Sequence, residues 1–143
     1  MAQPLLYDTT ALVAAIRDQA RLPALRRAAL SSRGYLTSVT VAELQAGARS
    51  PQHASLIDQL ATLFARQDRL LTPTEAEWMA TGRLIARAVM MRGAMEPRDH
   101  YPDVLIAQIA SRIGATVVTD NAADFRGWIQ LGRLDSTVSS AKR

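Results

Sequence analysis

Apolar positions along the chain alternate between short continuous runs and helical spacing. Leu5–Tyr7 is an apolar run that ends at Asp8, and the apolar residues after it recur every three to four positions: Ala11, Leu12, Ala15 and Ile16. A short run predicts a buried strand, and the wider spacing predicts a helix with one buried face. The beginning of the chain therefore predicts a strand followed by a helix.

The same unit recurs further along. Tyr35–Val39 follows Gly34 as a second strand, and a helix carrying Val41, Leu44 and Ala48 stops near Pro51. Further predicted elements are an amphipathic Leu56–Phe64, a strand at Leu70–Leu71, helices over Glu75–Met91 and Pro102–Ile113, a strand over Ala115–Thr119 and an edge strand at Trp128–Leu131. This alternation predicts an α/β fold, a three-layer α/β/α sandwich with a mostly parallel central sheet of four to five strands.

Length and composition narrow the class of protein. A chain of 143 residues is expected to form one hydrophobic core, so residues 1–134 are predicted as one domain and residues 135–143 as a disordered tail. The absence of cysteine excludes disulfides and zinc–thiolate sites. No uncharged stretch approaches the roughly 20 apolar residues of a membrane span, and the first ten residues lack the basic start of a signal peptide. We therefore expect a cytoplasmic protein.

The arginine-rich composition of the chain points to ligands that contain phosphate. The chain has 17 basic and 13 acidic residues, and sixteen of the basic residues are arginine. A guanidinium group pairs with phosphate through two parallel hydrogen bonds, so this bias suits a phosphate-containing ligand. An ordinary solvated basic surface explains the charge equally well.

Five acidic residues fall at one predicted edge of the sheet. Asp8 and Asp120 end strands. Glu43 and Asp103 are predicted in first turns of helices, and Asp124 is predicted in the turn after Asp120. Right-handed crossovers place strand ends and the helix starts after them at the same edge. Since only eight acidic residues then remain against 17 basic ones, the pattern predicts an acidic pocket in a basic molecule.

Each acid also has an ordinary structural explanation. Asp8 can cap the following helix, Glu43 stands at capping-box spacing from Thr40, and the others are common turn and helix-start residues. Together, however, crowded carboxylates repel one another unless a cation or proton intervenes. Hard oxygen ligands favour Mg²⁺ or Mn²⁺.

The segments carrying these acids resemble the PIN-domain family, particularly the VapC toxins of bacterial toxin–antitoxin pairs. The similar segments are LYDTTAL at 6–12, TSVTVAELQAG at 37–47, DVLIA at 103–107 and GATVVTDNAADF at 114–125. Any one motif is weak, but their order and spacing span residues 5 to 125. The resemblance implies a PIN-like fold, homodimers and a small VapB-like antitoxin that occludes the site.

The same resemblance implies a Mg²⁺- or Mn²⁺-dependent endoribonuclease. It would have Asp8 and Asp103 as metal ligands, with Glu43 and Asp124 completing the catalytic set. Because Asp8 and Asp103 are committed to the metal, Glu43 is the acid expected to orient or deprotonate the attacking water. Hydroxyl groups expected to support the carboxylates are those of Thr9, Thr10, Ser38 and Thr119.

Two other functions stay open from the sequence. A metal-dependent phosphomonoesterase on a similar sheet would be expected to carry a second aspartate at position 10, where Thr10 stands. A PIN-like module that binds RNA or protein without cutting is disfavoured by the intact acids. His53 and His100 are isolated in loop-like sequence and are predicted as surface residues, whereas Trp78 is predicted in the core.

Overall fold

The computed structural model describes residues 3–18, 22–31 and 33–140. Over these residues strands and helices alternate as the apolar pattern predicts. The strands are β1 (Leu5–Tyr7), β2 (Gly34–Thr37), β3 (Leu70–Leu71), β4 (Thr116–Thr119) and β5 (Thr137–Ser140). The helices are α1 (Thr9–Arg17), α2 (Leu22–Leu30), α3 (Ser38–Ala46), α4 (Pro51–Arg66), α5 (Glu75–Arg92), α6 (Tyr101–Ile113) and α7 (Ala122–Gly132), with a 3₁₀ helix at Pro97–His100.

The described strands form one parallel sheet in the order β3-β2-β1-β4-β5. Leu6 of β1 stands opposite Tyr35 of β2 on one side and Val117 of β4 on the other. The predicted mostly parallel sheet is confirmed. Because β1 and β4 are neighbours, the residues that follow them, Asp8 and Asp120, meet at the same carboxyl edge.

Helices cover both faces of this sheet, so the predicted three layers are also confirmed. On one face Leu12, Leu36 and Phe64 belong to a core that joins β2 to α1, α3 and α4. On the other face Leu6, Val117 and Phe125 are fully buried with α6 and α7. Leu6 and Val117 are register partners on neighbouring parallel strands, so their side chains point to the same side of the sheet. Buried residues on both faces hold the central strands rigidly under the acidic edge.

Two predictions for the end of the chain were wrong. Trp128–Leu131 is not an edge strand but lies inside α7, where Phe125 and Trp128 are buried one helical turn apart. The expected disordered tail is wrong for 137–140, because these residues form β5 and pair with β4. β5 is mostly polar and packs through Val138 alone, so its sequence carries no strand pattern. Residues 141–143 of the predicted tail lie outside the described residues.

Helix α5 differs from expectation on its outer face. Trp78 is 49% exposed, although its ring also lies 6.3 Å from that of Tyr101. Met79, Met90 and Met91 of the same helix are exposed as well. Among the described helices none is both long enough and apolar enough to cross a membrane.

Candidate active site at the carboxyl edge of the sheet

Asp8 is the most buried of the predicted site residues. It follows β1 in an extended conformation and is 1% exposed. Its Oδ2 accepts hydrogen bonds of 2.8 Å from the hydroxyl groups of both Thr10 and Thr119. Within the described residues the Asp8 side chain makes no helix-capping bond, although Asp8 occupies the N-cap position. The capping explanation therefore does not account for this residue.

The same two hydroxyl groups connect Asp8 to the turn between β4 and α7. Thr10 Oγ1 accepts the backbone N–H of Asp120 at 2.9 Å, and Thr119 Oγ1 accepts that of Asn121 at 2.9 Å. Each threonine thus donates to the carboxylate and accepts from the backbone. This network fixes the orientation of Asp8 and the start of α7 together.

Glu43 lies one turn further into its helix than expected. The N-cap of α3 is Thr37, whose side chain accepts the N–H of Thr40, so Glu43 is in the second turn and cannot complete a capping box with Thr40. Instead Glu43 Oε1 accepts a 2.6 Å hydrogen bond from Thr9. Burial raises the pKa of Glu43, the Thr9 hydrogen bond opposes that rise, and the charge of Asp8 adds to it.

Asp103 lies in the first turn of α6, as predicted, directly after Pro102. Burial is the largest cause that raises the pKa of Asp103 from 3.8 to about 7, followed by the negative charges of Asp8, Glu43 and Asp124. The other three predicted catalytic carboxylates are therefore within electrostatic reach of Asp103. Their catalytic roles stay predictions.

Asp120 and Asp124 differ in surroundings. Oδ1 of Asp120 is buried and has no hydrogen-bond partner among the described residues. Asp124 is exposed, lies in the first turn of α7 and lines a cavity together with Asp103. Of the four hydroxyls expected near the acids, Ser38 is the exception, because it donates to Thr72 instead.

The donor set suits a hard divalent cation. Among the described residues, no three carboxylate or imidazole side chains come close enough for one ion to touch all of them. Mg²⁺ is commonly held by one or two carboxylates and completes its coordination with water. Asp8 and Asp103 could hold such an ion, and its charge would offset the mutual repulsion that raises the pKa of Asp103.

Two depressions flank the carboxylates. One is a groove of about 90 Å³ between α1, α3 and α4, with apolar walls, Glu43 at one side and Arg17, Arg49 and His53 at the rim. The other is a cavity of about 170 Å³ beside Asp103 and Asp124 that also involves Arg92 and His100. His100, predicted as a surface residue, is half-buried and lines this cavity, three residues before Asp103.

Residues 5–126 match the PIN domain, and the chain belongs to this family. PIN domains are generally nucleases. Among solved structures, VapBC2 from Rickettsia felis, bound to a DNA fragment from its promoter, is 21% identical, with a TM-score of 0.63 over 95% of this chain and 97% of that chain.

Two further structures share the fold. FitAB bound to an IR36 DNA fragment is 20% identical, with a TM-score of 0.62 over 96% of this chain and 94% of that chain. VapBC-1 from nontypeable Haemophilus influenzae is 20% identical, with a TM-score of 0.62 over 97% of this chain and 98% of that chain. No curated protein sequence matches the chain significantly.

Proposed function

We propose that this PIN domain is a Mg²⁺- or Mn²⁺-dependent endoribonuclease that acts as the toxin of a type II toxin–antitoxin pair. The observation that carries the proposal is the burial of Asp103 in the combined field of Asp8, Glu43 and Asp124. Folding a protein around such a group costs free energy, and a cation bound there recovers it. The sixteen arginines of the chain, three of which line the depressions beside the carboxylates, suit an RNA backbone better than a small neutral substrate.

Asp8 and Asp103 are the proposed ligands of the divalent ion. When bound, the ion lowers the pKa of an attacking water and offsets charge on the phosphate. Thr10 and Thr119 hold Asp8 in one orientation, so it need not reorganise when substrate enters.

Glu43 is the proposed proton acceptor. The Thr9 hydroxyl holds Oε1 of its carboxylate, and burial shifts its pKa upward, towards the pH at which a general base is most effective. The proton that leaves the attacking water would pass to Glu43 while the departing ribose oxygen takes a proton from solvent. Asp124 contributes negative charge and lines the entrance beside Asp103.

A small antitoxin is the proposed partner. The groove beside Glu43 has the apolar walls that receive side chains of a partner helix: Val13, Ile16, Leu44 and Ile57. A basic residue at the end of that helix would be attracted to the carboxylates beyond the groove. Structures of VapBC and FitAB, which share this fold, accord with such a pairing.

A cytoplasmic homodimer completes the proposal. The exposed Trp78 and Met79 give α5 an apolar outer face that a second copy of the chain would cover. This arrangement follows from the family resemblance as well as from the exposed side chains.

Cleavage of mixed RNAs in Mn²⁺, beside a phosphomonoester substrate, tests the function. We expect RNA cleavage without phosphomonoester hydrolysis, and loss of both metal binding and cleavage in Asp8→Asn and Asp103→Asn. Asp68→Asn is the matched control, because Asp68 precedes β3 at the opposite edge and has a φ of 55°, which asparagine adopts readily. Full cleavage by either site variant would contradict the mechanism.

Co-expression tests the partner. The product of a small adjacent gene should relieve growth inhibition by this chain and form a stable complex with it. A chain that inhibits growth equally with and without that product would contradict the toxin assignment but not the nuclease.

A further inference from the structure

The cavity beside Asp103 and Asp124 is also lined by residues that the proposed cleavage mechanism does not use. It lies where the end of α5 and the 3₁₀ helix meet the first turns of α6 and α7. Its remaining lining residues are Arg92, Met95, His100, Ala123, Gly127 and Trp128. A cation, an imidazole and an aliphatic side chain therefore surround one side of an acidic site.

Arg92 is placed to receive an anion in this cavity. It is the exposed last residue of α5, and its guanidinium Nη2 lies 3.7 Å from the point where a Cβ would stand at Gly127. Because Gly127 has no side chain, the guanidinium group passes over this point of helix α7 and reaches the cavity. In the ranges that the structure describes, the side chain of Arg92 makes no ion pair or hydrogen bond, although Asp103 and Asp124 line the same cavity. Its donors remain available to a ligand.

His100 also lines the cavity, and its ring packs against that of Trp128. Its ring centroid lies 5.5 Å from that of Trp128, with an angle of 53° between the planes. Trp128 is 4% exposed and packs with Leu84 and Val104, so it cannot move aside. The half-buried imidazole therefore rests on a buried ring at the side of the cavity.

We infer that this cavity is the subsite for the non-scissile phosphate of the nucleotide next to the cleaved bond in single-stranded RNA. Arg92 pairs with that phosphate, and His100 and Met95 contact the attached ribose. At about 170 Å³ the cavity is smaller than the roughly 300–1,000 Å³ of sites that enclose whole small ligands, which suits part of a nucleotide. The inference rests on the proposed ribonuclease function.

Electrostatics favours an RNA strand that runs from the cavity beside Arg92, past the carboxylates, to the groove beside Glu43. A second phosphate near Asp103 and Asp124 would be repelled unless a fixed cation offset their charge. Arg92 supplies that cation on the side of α7, as Arg17 and Arg49 do at the rim of the groove beside Glu43. The scissile phosphate would lie at the carboxylates, with Arg92 on one side and Arg17 and Arg49 on the other.

The test compares Arg92→Ala, Arg92→Lys and Gly127→Leu with wild type on a short fluorescent single-stranded RNA. Arg92→Ala should raise KM about 10- to 100-fold, the loss expected for one charge-assisted contact, and change kcat far less. Arg92→Lys should recover part of the loss. Gly127→Leu fills the cavity while leucine suits a helix better than glycine, so KM should rise with the circular dichroism spectrum retained.

The salt dependence of RNA binding distinguishes a phosphate contact by Arg92 from a purely structural role of this residue. RNA binding is measured in EDTA, where cleavage is absent. The slope of the logarithm of the binding constant against the logarithm of salt concentration should be smaller in magnitude by about 0.7 in Arg92→Ala than in wild type. Arg83→Ala is the matched control, because Arg83 is exposed on the same helix about two and a half turns earlier and faces the opposite side. Its KM and salt slope should equal those of wild type.

The outcomes separate this inference from the proposed function. RNA cleavage with the same KM and salt slope in Arg92→Ala, Gly127→Leu and Arg83→Ala would overturn the subsite and leave the ribonuclease standing. A wild-type chain that neither binds nor cleaves RNA would overturn both. A kcat loss at unchanged KM would also overturn the subsite, because it would place Arg92 in the chemical step.

Discussion

At the scale of single residues, the orientation of Asp8 depends on two hydroxyl groups, one from a near neighbour in sequence and one from a distant part of the chain. Thr10 is two residues away, whereas Thr119 is 111 residues away and arrives through the pairing of β4 with β1. Both hydroxyls also accept a backbone N–H at the start of α7. Replacing either one should therefore disturb the carboxylate and the turn at the same time.

The first prediction is that Thr119→Val weakens Mn²⁺ binding about 10- to 100-fold, since the change removes a supporting donor at nearly constant shape. It should also cost about 1–3 kcal/mol of stability, because the buried carboxylate of Asp8 loses a donor and the N–H of Asn121 loses its acceptor. Calorimetric titration with Mn²⁺ and thermal denaturation measure the two effects. Thr119→Ser, which keeps the hydroxyl, should resemble wild type.

Thr116→Val is a second control on the same strand. Its hydroxyl bonds to Thr137 at the opposite end of β4, so Mn²⁺ affinity should not change. Equal Mn²⁺ affinities for Thr119→Val and wild type would show that this hydroxyl does not position the ligand.

At the scale of elements, the start of α7 decides which acid faces the site. Helix α7 begins at Ala122, so Asp124 projects from its first turn, while Asp120 belongs to the turn after β4. Asp124 lines the cavity with Asp103 and contributes to the raised pKa of Asp103. These contacts support a division of roles between two acids that look equivalent in sequence.

We predict that Asp124→Ala lowers the cleavage rate at saturating Mn²⁺ far more than Asp120→Ala, with Asn121→Ala intermediate. Asp120→Ala should keep or increase thermal stability, because it removes a buried carboxylate oxygen that has no partner among the described residues. Rates and melting temperatures of the three variants decide the matter. An inactive Asp120→Ala beside an active Asp124→Ala would show that Asp120 is the functional acid.

At the scale of the whole molecule, the acidic cluster should make stability depend on pH. The folded state raises the pKa of Asp103 to about 7, so between about pH 4 and 7 the folded chain binds a proton that the unfolded chain releases. The contribution of this proton is complete below about pH 4 and is lost as the pH rises through 7. Glu43, whose pKa is also raised, acts in the same direction.

We therefore predict that, in EDTA, the free energy of unfolding falls by at most about 3 kcal/mol between pH 4.5 and 8 through Asp103. Urea denaturation at a series of pH values measures the fall. Asp103→Asn should flatten the curve, and Asp68→Asn should not. Saturating Mn²⁺ should also flatten it, because a bound cation stabilises the ionised carboxylates. A steeper fall in Asp103→Asn than in wild type would contradict the pKa assignment.

Much of the architecture and part of the site are local properties of the sequence. Strands such as Leu5–Tyr7 and helices such as α6 have periodic apolar residues, and periodicity depends only on neighbours along the chain. Asp8 and Asp103 were predicted at one edge because parallel crossovers place strand ends and helix starts together. β5 was not predicted, because its stability comes from pairing with β4 rather than from an apolar pattern of its own.

Other features depend on contacts that no local pattern contains. The strand order brings Thr119 to Asp8, and the helix packing brings Arg92 over Gly127 and His100 against Trp128. Glu43 likewise makes no capping bond with Thr40, the ordinary explanation that its spacing allowed, and accepts a hydrogen bond from Thr9, 34 residues earlier. The sequence by itself determined which carboxylates reach the edge of the sheet. Only the tertiary structure decided their partners, because a side chain's neighbours are set by which elements lie side by side in space.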